Sequence, residues 1–351
     1  MEKIYQKLND YLNDICVYLE KNDSFLLDKI RPISWLNDKV IKYFEEMKFF
    51  KQKILNSSSK ENNLTFDDVF LLAREIIASI DKCYLVDFDN LIKSGELDFD
   101  FEKECNNSEF ETKYKNGEIK KIINIGRNFN YDDVITLIHE YIHYVNSNDT
   151  IVGNYFSEFL SIYFEFYTKD YLLKKGIDIK EVNIYDRIKY TYYNLKSLYR
   201  YEIPLLAYIN FGNLDSNTYL LLNKFVLNIK KEAFENECKL LCYKLTKIAE
   251  SKKEEIAEDP ENKGYYLSEN FIVYDYLYIL GTLLALYARK YCSFEKIVYL
   301  NNHINEFEGL SVNEICLNIG IDLNADDFVL KLFSAIDEYI NKNHIENNRK
   351  I

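Results

Sequence analysis

Residues 136–146 read TLIHEYIHYVN and contain the pattern His-Glu-x-x-His, from His139 to His143. The chain has four histidines and 57 acidic residues in 351 positions, so roughly 0.01 such matches or fewer are expected by chance. On a helix, His139 and His143 would project from one face about 6 Å apart along the axis. Two imidazoles in this arrangement can bind one metal ion; the alternative is a helix surface that carries two histidines by coincidence.

Glu140 follows His139 directly, on the neighbouring side of the same helix face, where it can take a proton from a water molecule that the metal activates. A catalytic zinc ion needs a third protein ligand and an open fourth position. Two imidazoles and one carboxylate would favour one Zn²⁺ ion, although cobalt or manganese would also fit.

The next predicted helix, residues 157–176 (SEFLSIYFEFYTKDYLLKKG), supplies a polar stripe on an otherwise apolar surface. Glu158, Ser161 and Glu165 form this stripe at positions i, i+3 and i+7. We expect Glu158 to be the third ligand and Glu165 to accept a hydrogen bond from a ligand imidazole, with Ser161 beside them. A chain reversal at residues 153–154 would pack the two helices antiparallel. The alternative is an exposed row of carboxylates.

Composition predicts a mainly α-helical protein with a small β-sheet. Tyr (31) and Phe (23) are abundant, whereas Gly (10) and Pro (3) are scarce, which disfavours turn-rich β folds and disorder. Residues 1–80 have helical periodicity, residues 82–126 carry the only strand-like patterns with a hairpin turn at KNGE, and the helical pattern returns with Asn130 as N-cap. Residues 251–264 are the strongest candidate loop.

Charge and cysteine usage narrow the classes of partner and compartment. The net charge of −13 is spread along the chain without a basic, aromatic-rich stretch, so no nucleic-acid partner is expected. The apolar residues 271–288 contain Asp275 and several tyrosines, which predicts a buried helix and no membrane insertion. Seven cysteines without Cys-x-x-Cys spacing, and an N-terminus without a signal-peptide pattern, predict a reducing cytoplasm.

Four segments, taken together, resemble the oligoendopeptidase F and thimet oligopeptidase family of zinc metallopeptidases. They are the segment that leads into and includes the histidine motif, the Glu-x-x-Ser-x-x-x-Glu helix, a Tyr-x-Tyr-x-Tyr-x-x-Gly helix and the C-terminal helices, at residues 123–146, 157–176, 274–288 and 310–340. They span roughly residues 85–345 in the order found in that family. The resemblance implies a zincin-like helical fold, with residues 1–80 as an N-terminal helical region and residues 81–351 as the catalytic domain, in one continuous unit.

The resemblance also implies roles for tyrosines of the third segment, and Tyr266 lies shortly before it. Tyr278 matches the family tyrosine that donates a hydrogen bond to the oxyanion of the tetrahedral intermediate, and Tyr274 lies on the same helix face. Tyr276 and Tyr266 are the candidate substrate-binding residues. The alternative is that each of these is a core tyrosine in a tyrosine-rich protein.

The chain departs from the family in three respects. The Gly-rich strand and loop that usually precede the active-site helix are absent, and residues 103–118 (KECNNSEFETKYKNGE) take their place. The family's substrate-binding histidine would fall near Ser268, and only about 80 residues precede the matching region, where full-length members have a large helical portion. The main hypothesis is a zinc peptidase that hydrolyses short or unfolded peptides. The alternatives are a non-catalytic zinc-containing peptide-binding protein and a dedicated processing peptidase for one precursor. The sequence does not define an oligomeric state.

Overall fold

The computed structural model describes residues 64–99, 109–115, 118–146, 151–177, 182–197, 231–268, 272–308 and 310–348, with isolated positions between 10 and 44. Most of these residues lie in helices, and they include one small sheet, which confirms the predicted mainly α class. The finer prediction of a zincin-like fold remains a prediction. Most of the helical pattern predicted in residues 1–63 lies outside the described residues.

The described helices are numbered here in chain order. They are α1 Phe66–Ile80, α2 Leu85–Ser94, α3 Asp132–Asn146, α4 Ile151–Lys174, α5 Val182–Ser197, α6 Lys231–Ser251, α7 Lys253–Glu258, α8 Lys263–Ser268, α9 Ile272–Tyr291, α10 Phe294–Asn302, α11 Val312–Ile319 and α12 Phe328–Asn348. Short 3-10 turns lie at Lys82–Tyr84, Pro260–Asn262 and Ile304–Phe307.

The chain divides into two compact units. The first unit comprises Met1–Lys53 and Arg187–Ile279, and the second comprises Ile54–Asp186 and Leu280–Ile351. Two of the three boundaries fall within helices, one in α5 and one in α9. The predicted division near residue 80 is not one of these boundaries, and its functional meaning remains a prediction.

The sheet of the second unit has the strand order β1-β3-β2, with β1 at Leu97–Asp98, β2 at Glu109–Lys115 and β3 at Glu118–Asn124. Strand β1 pairs parallel to β3, and β2 pairs antiparallel to β3 along its whole length. The pairing of Lys115 with Glu118 leaves two residues between the strands, as in a tight hairpin. The predicted hairpin is therefore confirmed, while its turn residues lie outside the described part.

Local capping defines where two helices of the second unit begin. At α1, Thr65 Oγ1 accepts from Asp68 N at 3.2 Å while Thr65 N donates to Asp68 Oδ2 at 2.9 Å. The same reciprocal pair, Ser311 with Glu314, precedes α11. A cap of this kind stabilises a helix by about 1 kcal/mol, because it satisfies N–H groups that have no partner within the helix.

Two sequence predictions about chain breaks are wrong. Residues 251–264 were expected to form a loop, but they contain α7 and a 3-10 turn that begins at Pro260. The sequence KEEIAE of α7 consists mainly of strong helix formers, which allows a short helix with no buried residue. The reversal expected at residues 153–154 is wrong as well, because α4 begins at Ile151.

The apolar segment at residues 271–288 forms most of α9, which is buried from Ile279 to Ala288. Across the described ranges, we find no helix with both the length and the apolarity that crossing a bilayer requires. The expected buried helix is thus confirmed for the described side chains.

Candidate metal centre

A buried ion pair fixes the beginning of α3, the helix that carries both motif histidines. Asp133 lies in the first turn of α3 and accepts hydrogen bonds from Arg127 Nε at 2.8 Å, Asn128 N at 2.8 Å and Phe129 N at 3.0 Å. The predicted cap is also present, since Asn130 Oδ1 accepts from Asp132 N at 2.8 Å. These bonds satisfy backbone N–H groups in the turn before α3 and at the start of the helix.

The turn before α3 has an unusual backbone conformation. Phe129 has φ 55°, a left-handed value that is uncommon for a residue with a side chain. The Asp133 carboxylate holds the Phe129 N–H, and the Arg127 guanidinium carbon lies 4.9 Å from the Phe129 ring centroid and 5.0 Å from that of Phe99. Arg127 also donates to Leu64 O at 2.9 Å, which ties this turn to the residue before α1.

The two motif histidines converge as the sequence predicts. His139 and His143 lie one turn apart on α3, with their Nε2 atoms 3.0 Å apart. Two ligands of one tetrahedral zinc ion, each about 2.0–2.1 Å from the metal, lie roughly 3.3 Å apart. The spacing of the two nitrogens is therefore close to that of a shared metal ion.

Glu158 of α4 completes a set of three ligand atoms. Its Oε2 lies 3.7 Å from His139 Nε2, and its Oε1 lies 3.5 Å from His143 Nε2. One ligand atom from each residue falls within 4.8 Å of the others, and all three side chains are largely buried. Two imidazole nitrogens and one carboxylate are a donor set that suits zinc, so the residues fit the predicted ion.

Glu165 lies beside the other nitrogen of His139. Its Oε1 is 2.7 Å from His139 Nδ1, within hydrogen-bonding distance. Because α3 and α4 are antiparallel here, Glu158 lies near both histidines, while Glu165 lies near His139. This is the position predicted for Glu165.

Carboxylates dominate the electrostatics of the site. Burial disfavours the charged imidazolium of His139, but Glu165, Glu140 and Glu158 oppose it, and the net effect raises the pKa of His139 above its usual 6.5. A site that raises the pKa of an imidazole stabilises positive charge. The same carboxylates would stabilise a divalent cation that replaces the proton on the ligand nitrogens.

Two further predicted residues lie close to the ligands in sequence and are buried. Glu140 is 7% exposed and sits on α3 next to His139. Ser161 is fully buried on α4, and its hydroxyl has no hydrogen-bond partner among the described residues. The roles assigned to them, general base and neighbour of the ligands, remain predictions.

Gly281 explains how α9 approaches the third ligand. A Cβ atom at Gly281 would lie 3.0 Å from Phe159 N and 3.1 Å from the Glu158 carbonyl carbon, so a side chain here would require the α4 backbone to shift by a few tenths of an ångström. Helix α9 therefore crosses α4 backbone to backbone at the metal ligand. Periodicity alone could not identify this contact, since it depends on two helices distant in sequence.

The predicted tyrosines belong to the first unit, whereas the three ligands belong to the second. Tyr278 lies on α9, with the Arg187 guanidinium carbon 5.4 Å from its ring centroid. Tyr274 and Tyr276 lie on the same helix, but their side chains are outside the described ones, and Tyr266 is a partly exposed residue of α8. Their roles remain predictions.

An amide network that sequence reasoning missed holds the other end of α3. Asn146, three residues after His143, donates through Nδ2 to Asn301 Oδ1 at 2.8 Å, and both residues are buried. Asn301 in turn contacts the Tyr84 hydroxyl. No local signal marks such a network, because it joins residues 155 positions apart.

Comparisons with protein-family models, with curated proteins and with solved structures found no match to this chain. The resemblance to the oligoendopeptidase family therefore remains a prediction that rests on the segments quoted above.

Proposed function

We propose that this protein is a zinc-dependent peptidase that hydrolyses peptide bonds in short or unfolded peptides. The observation that carries the proposal is the set His139, His143 and Glu158, whose ligand atoms lie within 4.8 Å of one another. The contact of Glu165 with His139 Nδ1 adds support, since a carboxylate on the outer nitrogen of a ligand imidazole is characteristic of zinc sites.

The proposal gives each buried group one task. A bound zinc ion supplies a Lewis acid that polarises the scissile carbonyl and lowers the pKa of water. His139, His143 and Glu158 hold the ion, and Glu165 orients the His139 ring. Glu140 accepts the proton of the attacking water and passes it to the leaving amine, the usual task of a buried carboxylate in this motif.

By its resemblance to the family, Tyr278 donates a hydrogen bond to the oxyanion that forms on the scissile carbonyl, with Tyr274 as a second donor. Tyr276 and Tyr266 contact the substrate in the same proposal. A phenol suits this task because it donates a hydrogen bond without a change of charge. The cysteine pattern fits a reducing cytoplasm as the place of action.

The first test is Glu140→Gln, assayed on a mixed peptide pool with product identification by mass spectrometry. We expect cleavage to fall by about 10²- to 10⁴-fold, because general-base catalysis is lost, while one zinc ion per chain remains bound. A chelator should abolish cleavage by the unmodified protein. Undiminished cleavage by the variant would remove Glu140 from its role.

A non-catalytic peptide-binding protein is the second candidate, favoured by the absence of a histidine near Ser268. Both candidates predict bound zinc, so metal content does not separate them. Chelator-sensitive cleavage of any peptide in the pool would support the peptidase. Peptide binding without cleavage would support the second candidate.

A further inference from the structure

The second unit contains a half-open cavity of about 180 Å³ at which α4, α9 and α12 meet. Its polar wall includes Tyr163 and Asp170 of α4, Arg289 of α9 and Glu338 of α12. None of these residues is a candidate metal ligand. The volume is smaller than that of a typical drug-sized pocket, so only a small solute would fit.

Arg289 provides hydrogen-bond donors to this cavity. Its guanidinium stacks on the Tyr339 ring at 4.5 Å from the centroid and forms an ion pair with Asp170 through Nη2. A guanidinium has five N–H donors, and among the described residues Arg289 makes hydrogen bonds only to Asp170. Its side chain is 15% exposed, so an incoming anion would meet a largely desolvated cation.

Tyr163 is a second donor in the same wall. It is only 5% exposed, and its hydroxyl makes no hydrogen bond within the described part of the chain. Burial raises the pKa of Tyr163 to about 12, with Arg289 acting in the opposite direction. The hydroxyl therefore stays neutral at physiological pH and can donate a hydrogen bond.

The remaining charges of the wall show where a cationic group would bind. Lys290 is already occupied by Glu338 at 2.7 Å, Ser334 Oγ at 2.8 Å and Ser334 O at 3.2 Å. Asp170 uses Oδ2 on Arg289, which leaves Oδ1 as an acceptor in the cavity wall. Two donors that can bind an anion, Arg289 and Tyr163, thus lie in the same cavity wall as Asp170, whose Oδ1 can bind a cation.

We propose that this cavity binds a free α-amino acid with an apolar side chain. The carboxylate would contact Arg289 and the Tyr163 hydroxyl, and the ammonium group would contact Asp170. Leu286, Ala335 and the tyrosine rings supply the apolar part of the wall. A lone anion would leave the acidic oxygen unsatisfied and a lone cation would leave the donors unsatisfied, so the cavity favours a zwitterion.

This proposal does not depend on the peptidase activity, although amino acids are a product class of peptide hydrolysis. Isothermal titration of the full-length protein with L-leucine tests it directly. N-acetyl-L-leucine lacks the ammonium charge and L-leucinamide lacks the carboxylate charge. We expect each to bind at least about tenfold more weakly than leucine, because hydrogen bonds to charged groups contribute about 1.5–3 kcal/mol.

Tyr163→Phe is the diagnostic variant, since it removes one hydroxyl and keeps the ring. We expect it to weaken leucine binding severalfold, while Asp170→Asn should abolish the preference for leucine over N-acetyl-leucine. Tyr299→Phe, at an exposed tyrosine outside this wall, is the matched control. The proposal is overturned if leucine does not bind, if both analogues bind equally well, or if Tyr163→Phe binds leucine like the unmodified protein. In each case the ion pairs would serve only to join the helices.

Discussion

Helix α3 carries two buried charged clusters with different balances of charge. At its beginning, Arg127 and Asp133 pair at 2.8 Å with side-chain exposures of 2% and 0%, and the carboxylate also accepts two backbone N–H groups. Two turns later, Glu140, Glu158 and Glu165 act on the His139 imidazole, and Glu158 also lies beside His143. The first cluster is balanced by its own residues, whereas the second has a surplus of carboxylates.

Protonation of the two imidazoles cannot offset all three carboxylates. The Nε2 atoms of His139 and His143 are 3.0 Å apart, so two imidazolium N–H groups would point at each other and repel. One shared proton leaves three carboxylates with a single positive charge. A divalent cation between the rings and Glu158, as proposed above, would compensate more of this charge.

The largest expected effect comes from Glu158→Gln, which replaces the anionic ligand with a neutral one. Structural zinc binding contributes about 10–16 kcal/mol; shared among three ligands, one ligand is worth roughly 3–5 kcal/mol, or a 10²- to 10⁴-fold loss of zinc affinity. Competition with a chromophoric chelator measures this loss. The metal-free variant should be at least as stable to urea as the metal-free parent, since it carries less buried negative charge.

Asp133→Asn should instead lower the free energy of unfolding and leave zinc affinity unchanged. It leaves the buried Arg127 charge without its carboxylate, which typically lowers the free energy of unfolding by about 3–5 kcal/mol. Zinc bound per folded chain should be unchanged. Urea unfolding with and without chelator separates the two quantities, with Asp68→Asn at the exposed cap of α1 as the control, expected to cost about 1 kcal/mol.

The comparison fails if the two variants behave alike. A metal-free Glu158→Gln protein that unfolds as readily as Asp133→Asn would indicate that both clusters are structural. A normal unfolding free energy for Asp133→Asn would show that Arg127 finds other compensation.

The grouping of the candidate metal ligands could be predicted from the sequence because their geometry is local. His139 and His143 are i and i+4 on one helix, and Glu158 and Glu165 are i and i+7 on the next, so helical periodicity alone places each pair on one face. The mainly α class could be predicted from composition, which likewise does not depend on which residues meet in the fold. Neither inference required knowledge of contacts distant in sequence.

The supporting structure could not be predicted, because it depends on tertiary contacts. The pairing of Asp133 with Arg127 depends on a turn with a left-handed Phe129, which no periodicity of the sequence indicates. The contact of Gly281 with Glu158 joins helices more than a hundred residues apart. The loop predicted at residues 251–264 was wrong because strong helix formers outweighed the charged, polar composition.

The smallest expected effect is that of Glu165→Gln. The amide oxygen can still accept from His139 Nδ1, but the loss of charge lowers the basicity of the ring, and we expect a 10- to 100-fold loss of zinc affinity. The same chelator competition measures it. Glu75→Gln is the matched control, since Glu75 also contacts α4, through the Tyr171 hydroxyl at 2.7 Å, but is exposed and is not one of the carboxylates that raise the pKa of His139.

The size of this effect distinguishes two explanations for the contact between Glu165 and His139. If Glu165 acts on the metal through the imidazole, zinc affinity falls in Glu165→Gln and stays unchanged in Glu75→Gln. If Glu165 only joins α4 to α3, both variants retain zinc affinity and differ only in the free energy of unfolding. The second result would reduce the site to three ligands whose orientation comes from helix packing, because no carboxylate would then tune the His139 ring.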